Sequence, residues 1–194
     1  MTPEILSKGF NIFLAKAQEW CPAFEETFNK YEINTPARQA GFLGQVAVES
    51  GCLQWTRELW GPTEQQKRYE RNFSAAWPPT PEDQTNELAF QLGNFQKGDG
   101  FLFRGGGLIE TTGRTNYTAL TLALDHDFIS TPGDIILPEF AVASAGYYWN
   151  EHDLNPLADA QNWKDITLRV NGGLTAYGKR LAFTETFLKL LSTT

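Results

Sequence analysis

Apolar residues recur at helical spacing through most of the chain. Ile5, Leu6, Phe10, Phe13, Leu14 and Ala17 fall on one stripe. Ahead of them, Thr2-Pro3 reads as a cap with proline at the first helical position. This predicts a first helix along that stripe, and Phe24 and Phe28 predict a short second one. Thr35-Pro36 opens a third, with Leu43, Val46 and Ala47 as its core face and Gly51 at its end. Over residues 60–81 the chain turns polar and is punctuated by GPTEQQ and WPPTPEDQ, the pattern of a loop-rich excursion. Helical spacing resumes over 82–92. GNFQKGDGFLFRGGG then holds six glycines in fifteen residues, a run that needs positive φ or close backbone approach. Helices are predicted over 116–124, 138–149, 163–170 and 175–191, the last with Phe183, Phe187, Leu190 and Leu191 inward. The class is all-α, without repeats.

Two glutamates stand out against this pattern. In QVAVESGCLQWTRELWG (residues 45–61), Glu49 and Glu58 lie nine positions apart with Gly51 between them. On one continuous helix that spacing is about 900° of rotation and about 13 Å of rise, so the side chains would point to opposite faces. A turn of the chain at Gly51 lets them share a cleft. Glu49 falls in the last turn of its helix, where the partial negative charge disfavours a carboxylate by about 0.3–1 kcal/mol. A solvated helix prefers lysine there, so the position suggests a use for the acid. Two carboxyl groups facing across a gap are the working pair of glycosidases. A separation of roughly 6.5–9.5 Å admits an attacking water and gives inversion, while roughly 5–5.5 Å gives retention. Trp55, Trp60, Trp77, Phe101 and Phe103 gather around the pair and the glycine run. Each serves either as core or as a flat face for a pyranose ring.

Composition narrows the partners. A chain of 194 residues suffices for one core or for two lobes about a cleft. Its net charge of −7 and pI near 4.9 lack the basic footprint that nucleic acid requires. An anionic substrate would have to be met locally, by a few placed arginines. The two cysteines, Cys21 and Cys52, are too few for a disulfide scaffold or a metal site; a single bridge and two free thiols both remain open. His126 and His152 read as surface or capping residues, so no metal or other cofactor is expected. MTPEILSKGFNIFLAK has no basic region followed by a long apolar core, so no cleavable signal peptide is expected. No apolar run approaches the roughly 18 residues that span a bilayer, and no stable membrane association is expected.

With the glutamates placed, GDGFLFRGGGLIETTGRTNY (98–117) gains meaning. It resembles a signature of the chitinase-like glycoside hydrolases, family nineteen, in the branch that contains phage and bacterial lysozymes: GDG-x-x-(Y/F)-R-G-R-G-L-I-Q-L-T-G-R-x-N-Y. The stretch around Glu49 and Glu58 resembles the branch's H-E-S-G-G followed by E-N-L. RVNGGLTAYGKR (169–180) resembles its R-x-(I/V)-N-G-G-x-x-G-x-x-x-R. The three come in the family's order and, with WNEHDLNPLAD (149–159), cover roughly residues 36–185. The resemblance implies a lysozyme-like fold of two lobes about a groove. It also implies inverting hydrolysis of a β-1,4 bond to an N-acetylated amino sugar. Carried over by position, Glu49 is the general acid and Glu58 the base that activates water. Thr112 is the hydroxyl that helps orient that water. Asn116 and Asn171 fall at substrate-contacting amides, and Arg180 at an arginine that meets the acidic pair or holds the groove electrostatically. Arg104, Glu110, Trp60 and Tyr117 complete the expected substrate-binding set. Tyr117 reads as packing more than as recognition, and Arg114 and Asn116 read equally as caps of a helix start.

The sequence departs from the branch at Val48 (histidine there), Gly106 (arginine), Glu110 (glutamine) and Leu59-Trp60 (Asn-Leu). None removes a catalytic carboxylate, but Glu110 adds a third one. The whole chain, 1–194, is read as a single catalytic domain without a separate wall-binding domain. Its large helical lobe spans approximately 1–59 and 99–194 and its small loop-rich lobe approximately 60–98. The expected substrate is peptidoglycan, cut between N-acetylmuramic acid and N-acetylglucosamine by a monomeric endolysin of the phage type. Such a protein would gather in the host cytoplasm and reach the periplasm and wall through a holin-opened membrane. The alternatives are a chitinase, a lytic transglycosylase and a sugar-binding protein without catalysis.

Overall fold

The computed structural model of the chain describes residues 1–71 and 84–192. Trp77 and the first residues of the helix expected over 82–92 lie outside them. Among the described residues the α-helices run in order: α1 (Pro3–Phe10), α2 (Leu14–Lys30), α3 (Pro36–Glu49), α4 (Glu64–Lys67), α5 (Gln84–Gln91), α6 (Asp99–Leu102), α7 (Arg114–Leu124), α8 (Pro138–Glu151), α9 (Leu154–Asp159), α10 (Trp163–Asn171) and α11 (Tyr177–Leu191). A 3-10 turn, Pro132–Ile136, precedes α8. The only β pairing among these residues is two isolated bridges, Arg57 with Gly106 and Gly106 with Thr111. The chain is thus mainly α-helical, as its periodicity predicts.

The caps read from sequence form where expected. The Ile5 N–H donates to Thr2 Oγ1 at 3.4 Å and the Arg38 N–H to Thr35 Oγ1 at 3.2 Å, each with proline in the first turn. The first stripe, however, divides. Asn11 takes a left-handed conformation, φ 53°, and ends α1, a conformation that asparagine tolerates better than most residues. Phe13 is then 89% exposed and Leu14 43%, so neither joins the core face predicted for them. The expected short second helix is instead the long α2, which runs straight through Pro22. Proline removes the hydrogen bond to the carbonyl four residues back. That carbonyl belongs to Gln18, which lies on the exposed face, where water can take the bond.

The main core joins α1, α2, α3, α8 and α11. Phe10 meets Phe187 edge-on at 4.9 Å, and Phe42 meets both Phe28 and Trp149 at 5.5 Å. Helix α3 packs along α11, and Gly44 makes that approach possible: a methyl group there would stand 2.0 Å from Thr184 Oγ1 and 3.0 Å from the Arg180 carbonyl. This contact carries Arg180 to Glu49. A second apolar cluster gathers Phe103, Tyr117, Leu120, Phe128 and Ile135. It is built from Phe103 of the glycine run and from the segment that follows that run. Helix α8 stands between the two, giving Ala141, Val142 and Ala145 to the main core and Phe140 and Tyr147 to the second. The cleft opens along its C-terminal half. Among the described residues no helix is long and apolar enough to cross a membrane.

Candidate active site

Glu49 is the last residue of α3. The chain turns immediately after it, through left-handed Gly51, Cys52 and Leu53, and returns alongside the glycine run. There, short backbone pairings fix the position of Glu58. Its N–H donates to the Gly105 carbonyl at 2.9 Å, the Gly107 N–H donates to the Thr56 carbonyl at 3.0 Å, and Gly106 and Thr111 exchange bonds of 3.0 and 2.8 Å. Gly105 leaves little space for a side chain. A methyl group on it would stand 3.2 Å from the Cβ of both Glu58 and Glu110. The turn thus sets three carboxylates together: Glu49, Glu58 and Glu110 line one cavity of about 300 Å³ with Trp55, Arg57 and Leu59.

Each carboxylate has its own surroundings. Glu49, 20% exposed, has Oε1 2.7 Å from Arg180 Nη2, and among the described residues that buried oxygen has no hydrogen-bond partner of good geometry. Arg180 is itself fixed from three sides. Its Nη1 donates to Gln45 Oε1 at 2.9 Å, its Nε to the Thr175 carbonyl at 3.3 Å and its Nη2 to Asn171 Oδ1 at 3.4 Å. Glu58 accepts from the Gly105 N–H at 3.0 Å on Oε2 and from the Gln66 carboxamide at 2.9 Å on Oε1. These two donors fix the orientation of the carboxylate. Glu110 has no such donors among the described residues and adopts a left-handed backbone, φ 56°. Its side chain meets water in the cleft. Even so, desolvation by the walls raises it above the usual carboxylate range, and the charges of Glu58 and Glu49 add to the shift.

Glu110 also lines the adjoining cavity of about 480 Å³, where Thr112 and Asn116 face Tyr147, Tyr148 and His152. The Thr112 hydroxyl donates to the Glu110 carbonyl at 2.8 Å, and the Asn116 amide to the Thr112 carbonyl at 2.7 Å. Tyr148 lines this second cavity. Burial first, then the charge of Glu49, pushes its hydroxyl up, and its ring stacks on His152 at 3.7 Å. His152 does cap α8, as read from sequence, but it also forms part of the cleft wall.

The other predicted residues stand behind this surface. Asn171 reaches the site through Arg180. Arg104 donates to the carbonyls of Glu58 at 3.1 Å and Phe101 at 2.7 Å, so its guanidinium holds the glutamate's backbone. Tyr117 does not line the cleft: it is fully buried, and its hydroxyl is taken by the Arg104 carbonyl at 3.0 Å. Burial is the chief reason that hydroxyl is pushed up to about 12. Trp60 packs edge-on against Phe101 at 5.5 Å and near Tyr69 at 6.5 Å. Of the other aromatics named from sequence, Trp55 is half exposed in the cleft, whereas Phe103 is core. The branch's arginine at position 106 has no room here, since a methyl group on Gly106 would stand 2.5 Å from the Tyr117 hydroxyl and 2.6 Å from Ile135. Cys21 and Cys52 are both free thiols.

Gln45, Gln66 and Tyr148 escaped the sequence reading. Gln45 sits one turn before Glu49, a signal that becomes readable only once the helix face is known to meet Arg180. Gln66 belongs to a capping box with Thr63, whose TEQQ pattern is visible in the polar excursion.

A helical protein whose cleft gathers carboxylates on glycine-bounded turns has the form of a glycoside hydrolase. A curated relative supports that class: a glycosyl hydrolase family 19 domain-containing protein of Haemophilus influenzae is 32% identical over 162 residues, 74% of each chain. The chain belongs to glycosyl hydrolase family 19 and is a glycoside hydrolase. No protein-family model matches it. In fold it is similar to chitinase C from Streptomyces griseus, with a TM-score of 0.65, 17% identity and coverage of 100% of this chain and 93% of that one. It is also similar to a bacterial family 19 chitinase, with a TM-score of 0.63, 18% identity and coverage of 98% and 94%.

Proposed function

We propose that the protein is a peptidoglycan hydrolase of the endolysin type. In this reading it cleaves the β-1,4 bond between N-acetylmuramic acid and N-acetylglucosamine with inversion, as a monomer that reaches the wall through a holin-opened membrane. The observation that carries the mechanism is the contrast between Glu49 and Glu58. Glu58, held in place by the Gly105 N–H and the Gln66 amide, is the group that takes a proton from water. Glu49 gives its proton to the leaving oxygen, and the Arg180 guanidinium at 2.7 Å stabilises the anion that this transfer leaves. Both act in the same step, as inversion demands. Thr112 and Asn116 line the adjoining cavity, where a neighbouring sugar would lie.

A chitin-like substrate is the second reading, and one observation favours it. The arginines beside the cleft are already engaged: Arg57 with the carbonyls of Pro132 and Leu102, Arg104 with those of Glu58 and Phe101, and Arg180 with Glu49 and Gln45. That suits a neutral sugar better than the lactyl and peptide carboxylates of the wall. Mass spectrometry of soluble fragments separates the readings. Reducing N-acetylmuramic ends released from purified peptidoglycan support the first. Fragments from chitin alone support the second.

A further inference from the structure

The turn between α1 and α2 leaves an aromatic ring in water. Phe13, 89% exposed, borders a basin of about 610 Å³ that Asn11, Lys16, Gly51 and Gln54 also line. Lys16 closes it by donating to the Leu53 carbonyl at 2.8 Å, which ties α2 to the turn that follows Glu49. Asn11 and Gln54 are exposed, and their carboxamides have no hydrogen-bond partner among the described residues. The basin therefore offers a flat apolar face beside free amide donors and acceptors.

It also adjoins the cleft. Gly51 stands in its wall, and a methyl group there would be 2.9 Å from the Trp55 ring. Trp55, 49% exposed, lines the cavity of the three glutamates. Gly51 thus stands between the two hollows, and each has an exposed aromatic residue in its lining.

We propose that the Phe13 basin is a secondary binding site for the glycan strand held in the cleft, taking a neutral N-acetylated sugar unit beyond Trp55. The ring of Phe13 packs against the apolar face of the pyranose. Asn11 and Gln54 bond to its hydroxyl and acetamido groups, and no charge on the sugar is called for. The inference rests on the reading of the cleft as a glycan-cleaving site. It explains why an aromatic side chain stays in water where the helical stripe would have buried it.

Binding and hydrolysis test the two separately. Long peptide-free glycan strands of peptidoglycan are titrated against Glu49→Gln and against the same protein carrying Phe13→Ala and Gln54→Ala. Hydrolysis of a tetrasaccharide of the same repeat is compared between wild type and Phe13→Ala/Gln54→Ala. Both residues are exposed, so the fold should persist. The expected result is strand binding weakened by roughly fivefold or more, with tetrasaccharide hydrolysis unchanged. Equal strand binding overturns the inference, as does a concentration-dependent dimer that Phe13→Ala abolishes, which would make the basin a self-association surface. A wild type that cleaves no tetrasaccharide counts against the cleft reading alone, and the strand titration still decides the basin.

Discussion

Arg180 Nη2 lies 2.7 Å from Glu49 Oε1, and the guanidinium is 3% exposed. This contact joins the end of α3 to the first turn of α11 and gives the acid of the proposed pair a fixed countercharge. Removing the acid while keeping the shape isolates its chemistry. Glu49→Gln and Glu58→Gln should each fold as wild type by circular dichroism. Each should lose about 10²–10⁴-fold in turnover, the usual scale of general acid–base catalysis. A variant that keeps half its rate would remove that residue from the mechanism.

Gln45 should matter nearly as much to the fold as to the site. Its carboxamide accepts from Arg180 at 2.9 Å and donates to Thr167 at 3.3 Å while almost wholly buried. Gln45→Met fills the space but leaves a buried guanidinium short of an acceptor, at a cost of about 1–3 kcal/mol. Urea unfolding should show that loss, and kcat should fall with KM little changed, since Gln45 reaches the substrate only through Arg180 and Glu49. A variant with wild-type stability and wild-type kcat would contradict the role.

Glu110 gives stability a pH dependence of definite sign. Desolvation, then Glu58 and Glu49, hold its carboxyl above the ordinary value, so the folded protein binds that proton more tightly than the unfolded chain does. Stability is therefore lost as pH rises from the ordinary carboxylate value through the raised one. Glu110→Gln removes the loss. Thermal melts should give the variant the higher Tm at about pH 7.5, with the gap closing below about pH 4. A variant less stable than wild type at about pH 7.5 would show that the charged form is favoured instead.

The glycine run depends on a buried ion pair. Asp99, fully buried, meets Arg114 through two bonds, 2.8 Å to Nε and 2.6 Å to Nη2. Asp99→Ala leaves the guanidinium without its partner and should cost about 3–5 kcal/mol, read from the urea midpoint. A loss under about 1 kcal/mol would mean that water replaces the carboxylate.

Local signals carried much of this protein. Thr35-Pro36 and the stripe of Leu43, Val46 and Ala47 define α3, and the same stretch places Glu49 at its end. Gly51 between two glutamates correctly implies a turn that brings them to one cavity. Other features were hidden because they depend on partners far along the chain. Gln45 and Arg180 are 135 positions apart, and their bond exists only because Gly44 lets α3 and α11 touch. The split at Asn11 runs against the apolar stripe, since Phe13 looks like core by spacing alone. Tyr117 shows the opposite case: a motif position expected to meet substrate is buried by the second core, which forms around Phe103, Phe128 and Ile135. Asn94, whose side chain accepts from the Arg114 N–H at 2.8 Å, caps α7, so the capping role considered for Arg114 and Asn116 belongs to a residue twenty positions earlier.

The configuration of the first product tests the central claim most directly. Proton NMR would follow the anomeric signals during the first minutes of hydrolysis of a β-1,4-linked amino-sugar oligomer. Attack of a Glu58-activated water on the face opposite the leaving group predicts the α-anomer first, relaxing later by mutarotation. The β-anomer first, or a 1,6-anhydro end, would contradict the pairing of Glu49 as acid with Glu58 as base.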